Sequence, residues 1–243
     1  MEYKELLFNI NTDKIGILQI NSPPGNIMTF NFYKELTQIL RHDVIPSDAK
    51  GLIITGSGRH YSSGADIANL GSFYANESKY NKEKELLAFS KEYMELRATI
   101  NAIYYFPIPV ISSISGICVG GGFELALSSH IRICGSGSFV GLPESTFGLL
   151  PGLFGTVNMF REIGYGKSLE LILSGEMVDA QNAYNYGLVD YIVDKKDLSN
   201  YSIDLLKYIL EQHPKFDRSQ SKRIIKSFNT LRKERKKRDV DFC

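Results

Sequence analysis

Apolar and polar positions along this chain alternate in two periods, and the changes from one period to the other mark its elements. Residues 3–10 and 14–21 carry the short apolar pattern of strands, joined at the turn-prone triplet Asn11-Thr12-Asp13. Ser22-Pro23-Pro24-Gly25-Asn26 interrupts the pattern, and Phe30–Leu40 resumes it at the spacing of an amphipathic helix. Residues 51–55 predict a further strand. A turn at Ser62–Ala65 is followed by a polar, irregular stretch to about Lys84, with Tyr74 and Tyr80 inside it. So long a connection reads either as a mobile lid or as a segment that lines a substrate. Leu86–Tyr105 predicts a second helix, ended by Pro107 and Pro109. Val110–Ser115 predicts a strand, 122–129 a helix, and 131–134 and 138–141 two more strands. Beyond Gly152 the pattern is mainly helical, with Leu188–Val193 as a late strand. Strand, strand, helix recurs without a linker rich in Pro, Gly or Ser and without an internal repeat, which predicts an α/β core.

Composition narrows the class. A chain of 243 residues can bury one substantial core, or one large domain with a small appendage. At 43% hydrophobic and 23% charged residues it fits an ordinary globular protein, and no apolar run approaches a membrane span. Met1–Leu7 shows no basic start, apolar centre and cleavage site of a signal peptide. Cys118, Cys134 and Cys243 are too few and too scattered for a disulfide framework or a metal cluster, so a reducing cytoplasm and no bound metal are expected. The net charge of +1 conceals an asymmetry, because residues 218–243 hold ten Lys and Arg against three Asp and Glu. That basic tail is either a polyanion-attracting segment or a solvated, partly helical end; nucleic acid is not the expected partner.

Candidate chemistry centres on Gly116–His130, where a strand passes through Gly120, Gly121 and Gly122 straight into a helix. Glycines let the backbone turn sharply and approach a ligand, and the helix end offers unpaired N–H groups in an electropositive field. Such an end suits a phosphate or an oxygen that gains charge during a reaction. Glu124 stands in the first turn, either as a capping carboxylate or as an acid or base. Two further stretches bear on that choice: Arg59-His60-Tyr61-Ser62-Ser63-Gly64-Ala65-Asp66-Ile67, after the strand at 51–56, and Phe139–Gly152, which brings Glu144 in a Pro-Glu context.

These three stretches, in this order and spacing, resemble the crotonase family of enoyl-CoA hydratases and isomerases over roughly residues 3–228. The resemblance implies a crotonase-like spiral of ββα units over residues 1–190, followed by a helical C-terminal region over 191–243 that builds a homotrimer or a dimer of trimers. It implies an acyl-CoA substrate and no cofactor besides. It places Ala65 and Gly121 as the backbone donors of an oxyanion hole, and Glu124 and Glu144 as the two glutamates of the hydratase branch. Isomerases of the family typically keep only the second, so both together favour hydration. Ser63, Gly64, Asp66 and Ile67 fall where the family holds CoA, and Lys222 lies near the place of a lysine for the CoA phosphates. Asp66 reads equally as a helix cap, and Lys222, a lone lysine in a basic tail, reads first as a solvated surface residue. His60 and His130 match no catalytic position of the family and read as structural.

The chain also departs from the family pattern. Phe154 stands at a position usually held by glycine, where a phenyl ring would narrow or redirect the acyl path. His130 replaces a usual Asp, and the usual Glu-Lys-Arg-x-Pro ending is absent before Cys243, so against the family pattern acyl specificity and oligomer geometry stay open, the reaction less so. Another crotonase reaction remains as the alternative: isomerisation, decarboxylation, thioester hydrolysis or dehydration on an acyl-carrier protein. A non-catalytic assembly or RNA-binding subunit that uses the basic tail is the alternative from a different class.

Overall fold

A computed structural model describes residues 3–66, 82–212 and 223–227 of the chain. Strands β1 (Leu6–Ile10), β2 (Ile15–Ile20), β3 (Gly51–Gly56), β4 (Val110–Ile114), β6 (Ile131–Gly135) and β9 (Tyr191–Val193) form one sheet in the order β1-β2-β3-β4-β6-β9. Only the β1–β2 pair in it is antiparallel; every later pairing is parallel. A second sheet runs β5-β7-β8, from β5 (Ile117–Val119), β7 (Phe139–Gly141) and β8 (Met177–Asp179). The chain therefore lays a strand in the first sheet, then one in the second, then a helix, as in β4-β5-α3 with α3 at Gly121–Ser128.

The sequence explains the layering. The central strands β3, β4 and β6 of the first sheet are buried on both faces, as parallel strands covered twice are. Ile53, Ile111 and Ile133 share one face and pack on Leu198 and Leu206 of α7 (Leu198–Glu211). Leu52, Ile54, Val110, Ile114 and Cys134 face the other way, into a core shared with α1 (Phe30–Gln38), α2 (Lys82–Tyr104) and α3. α1 starts at Thr29, whose hydroxyl accepts from the Phe32 N–H, and it runs on into a wider helical turn over Ile39–Val44. Helices α4 (Gly155–Ile163), α5 (Tyr165–Ser174) and α6 (Ala180–Tyr186) follow, and β9 then adds the last strand beside β6.

One buried charge ties the late part of the chain to the middle. Arg132 on β6 is 1% exposed. Its guanidinium donates to the carbonyls of Leu188 and Ser129 and to Glu162, with Asp190 at 3.5 Å. Buried charge persists only when its donors are satisfied in this way. Among the described residues no helix is long and apolar enough to cross a membrane.

Candidate active site

A cavity of about 850 Å³ opens between α1, α2, the start of α3 and the segment 143–153. Its size is that of a small-molecule site. β5 delivers the chain to this point: Gly120 donates to the Gly141 carbonyl of β7 at 3.0 Å, and α3 begins one residue later. A side chain would be tight at this start, where Gly120 also has φ +54°. A Cβ at Gly120 would stand 3.2 Å from Glu144 Oε1, and one at Gly121 would stand 3.1 Å from the Tyr33 hydroxyl.

Opposite lies the Ser62–Asp66 turn. The Ser62 hydroxyl donates to the Asn26 carbonyl at 2.7 Å and accepts the Gly64 N–H at 3.1 Å, which sets the curve. Gly64 has φ +90°, and a Cβ there would come within 2.9 Å of the Val119 carbonyl, so only glycine is comfortable. The Gly64 carbonyl then accepts from Met28, and the Asp66 N–H reaches back to Met28, which leaves the N–H of Ala65 between them. Among the described residues no hydrogen bond uses the N–H of Ala65 or of Gly121. The two groups are neighbours: a Cβ on Gly121 would lie 3.6 Å from Ala65 N, and one on Gly64 3.4 Å from Gly121 N. Two unspent donors together, one at a helix N-terminus, can hold an oxygen that becomes negative.

Both glutamates line this cavity. Glu124 is 2% exposed, and its Oε1 accepts the N–H of Leu153 at 2.6 Å and of Gly155 at 2.7 Å. Gly155 is the first residue of α4, so Glu124 caps a neighbouring helix rather than its own. Burial first, and the Glu144 charge second, push its carboxyl from 4.5 up to about 8; the two N–H groups and Arg97 hold it back. Glu144 sits in the 3₁₀ turn Pro143–Phe147, and burial raises its carboxyl as well. Its Oε2 is buried and accepts no hydrogen bond among the described residues. Burial raises both carboxyls, and the Glu144 charge adds to the rise at Glu124, so the protonation of one bears on that of the other.

The structure brings Ser63, Gly64, Ala65, Asp66, Gly121, Glu124 and Glu144 to one cavity. Ile67 and Lys222, the irregular segment with Tyr74 and Tyr80, and the distal basic run all lie outside the described residues. His60 and His130 are structural anchors, each accepting a backbone N–H at Nδ1, from Ile117 and Val110 respectively. Phe154 departs from the expectation of a ring in the acyl path. It adopts φ +75° as the N-cap of α4, does not line the cavity, and lies against the Arg97 guanidinium, 4.3 Å from its ring centre. The cation holds the ring outside the cavity.

Among the cavity residues that sequence reasoning missed, Tyr33 and Arg97 bring polar chemistry. Tyr33 sits on the buried stripe of α1, where an aromatic reads as core. Arg97 projects from α2 and donates to the Gly152 carbonyl at 2.9 Å, as the Tyr93 hydroxyl does at 2.7 Å. Only the tertiary contact with the loop before α4 reveals it.

A family model described as Enoyl-CoA hydratase/isomerase matches residues 11–241. A probable enoyl-CoA hydratase of Bacillus subtilis is 37% identical over 175 residues, 72% of this chain, and the match spans 64% of that relative's length. Among solved structures, an enoyl-CoA hydratase from Thermoplasma volcanium superposes with a TM-score of 0.78 at 27% identity, over 93% of this chain and 84% of that one. An enoyl-CoA hydratase from Bacillus anthracis gives 0.73 at 26% identity, over 92% and 90%. The chain has the crotonase fold and belongs to the enoyl-CoA hydratase/isomerase family.

Proposed function

We propose that this protein is an enoyl-CoA hydratase, adding water to the 2,3 double bond of an acyl-CoA thioester or removing it. The observation that carries the reading is the coincidence, in one cavity, of two coupled carboxyls with two unspent backbone donors. The thioester oxygen sits against the N–H groups of Ala65 and Gly121. Attack at the β-carbon drives charge onto that oxygen, and fixed dipoles that need no reorganisation stabilise it. With one proton on the carboxyl pair, the ionised member takes a proton from water as its oxygen bonds to the β-carbon. The protonated member delivers its proton to the α-carbon. Water has then been added across the bond, and the pair again holds one proton, on the other carboxyl. Ser63, Gly64 and Asp66, and Ile67 and Lys222 beyond them, are the candidate contacts for CoA. No redox or metal chemistry enters this sequence of steps.

A homotrimer or a dimer of trimers is the assembly proposed with this function. The alternative within the family is double-bond isomerisation, for which one carboxyl suffices as a proton carrier between carbons. The test is incubation of the purified protein with a panel of 2-enoyl-CoA and 3-enoyl-CoA thioesters of graded length. Loss of the conjugated absorbance with 2-enoyl substrates supports hydration. Its appearance with 3-enoyl substrates, and no loss with 2-enoyl ones, replaces hydration with isomerisation. Turnover of neither overturns both.

A further inference from the structure

Tyr33 lines the same cavity and has no part in the steps above. It is 3% exposed, held on the buried face of α1 beside Phe32, whose ring meets it edge to face at 5.2 Å. Its position is thus fixed by packing. Its hydroxyl is buried and has no hydrogen-bond partner among the described residues, neither Glu124, Glu144 nor backbone. Burial, followed by the charges of Glu124 and Glu144, keeps the phenol far above its ordinary value, so the group is protonated and is a donor. A rigid buried donor with nothing to bond is unfavourable unless a ligand supplies the acceptor.

The location of that acceptor follows from two distances and one covalent relation. The hydroxyl oxygen stands 3.1 Å from the point a Gly121 Cβ would occupy, and Ala65 N stands 3.6 Å from the same point. The Gly121 N–H is two covalent bonds from it. Three donors, two from backbone and one phenolic, therefore surround one small volume. We infer that the Tyr33 hydroxyl donates a third hydrogen bond to the thioester oxygen of bound acyl-CoA, beside the N–H groups of Ala65 and Gly121. This rests on the oxyanion reading of those two N–H groups. It makes Tyr33 a catalytic residue, because the charge on that oxygen grows in the transition state and the hydrogen bond strengthens with it.

The experiment uses the full chain and a chromophoric thioester, 4-(dimethylamino)cinnamoyl-CoA, whose absorption moves to longer wavelength as its carbonyl is polarised. Wild-type protein should shift the band to the red. Tyr33→Phe removes one oxygen that no protein group bonds, so its thermal unfolding should match wild type. Its red shift should be clearly smaller, and its kcat for hydration should fall about 10- to 1000-fold with KM little changed. Tyr33→Met, smaller but flexible and without a donor, must show the same spectral loss, which keeps the test intact if one variant folds poorly. A red shift equal to wild type in both variants overturns the role of Tyr33 and leaves Ala65 and Gly121 standing. Absence of a red shift in wild type itself overturns the oxyanion reading, and this inference with it. A variant that keeps the red shift while its pH profile moves would show that the hydroxyl serves the carboxylates instead, which also overturns the inference.

Discussion

Glu124→Gln separates the structural work of this side chain from its chemistry. The amide oxygen of Gln can still accept the N–H groups of Leu153 and Gly155, so the start of α4 keeps its cap. Glu124→Ala instead leaves both donors unpaired in a buried place, at about 1–3 kcal/mol each. Proton transfer is lost in either case, and hydration should slow by about 10²–10⁴-fold. The Gln variant also removes a titration. Because burial raises the folded value from 4.5 to about 8, the folded chain binds more protons than the unfolded chain between those limits. The protonated carboxyl's contribution is fully present below 4.5 and is lost as pH rises through about 8. At about 1.36 kcal/mol per pH unit the interval is worth roughly 5 kcal/mol, at the upper end of what such a group delivers. Urea unfolding of both proteins at about pH 5, 7 and 9 should show Gln gaining on wild type by several kcal/mol as pH rises. The same samples, followed by loss of enoyl absorbance, report the rate. A stability difference that stays flat with pH, or a Gln variant within tenfold of wild-type turnover, refutes the reasoning.

Glu144→Gln should depress hydration by a similar factor and abolish isomerisation of a 3-enoyl thioester, whereas Glu124→Gln should leave part of the latter; two-substrate assays on both variants decide. The same change removes a charge that pushes Glu124 up, so the infrared carboxyl band of Glu124 should titrate below about 8; an unmoved midpoint would show that the pair is uncoupled. Arg97→Met acts with the opposite sign, because the Arg97 charge lowers Glu124. The alkaline limb of kcat/KM should move to higher pH, and no movement would mean the guanidinium is screened from the carboxyl. Gly64→Ala forces a side chain into φ +90° and against the Val119 carbonyl; it should cost about 1–3 kcal/mol in thermal stability and lower kcat by displacing Ala65, and intact Tm and kcat would contradict the account of this turn.

Much of the fold was legible because the central strands of the first sheet are covered on both sides and leave apolar runs in the sequence. The segments around Gly64, Gly121 and Glu144 were legible for a different reason. Each carries residues, positive-φ glycines or a buried carboxyl, that local structure alone does not require. Phe154 was misread because a phenyl ring at a glycine position suggests obstruction, and nothing near it in sequence shows that Arg97, more than fifty residues away, draws the ring aside. Tyr33 escaped because period-3.6 patterning reports that a face is buried and cannot distinguish a core from a cavity wall. The partners of Glu124 escaped likewise: a glutamate in a first turn suggests a cap for its own helix, and its carboxylate crosses instead to α4.

Arg132 bears on the order in which the chain can become structured. Its acceptor Leu188 lies 56 residues further along, and Asp190, which also takes the Arg132 backbone N–H, lies 58. At about 5–20 residues per second, synthesis places Arg132 in the nascent chain roughly 3–12 seconds before those groups exist. Through that interval β6 carries a cation that belongs in the interior and lacks part of the shell that permits it to be there. Until residues 188–190 are made, the strand behind the glutamate-bearing helix therefore lacks two of the groups that satisfy its buried cation, and a chain halted near residue 187 should expose this edge to chaperones or to other copies of itself.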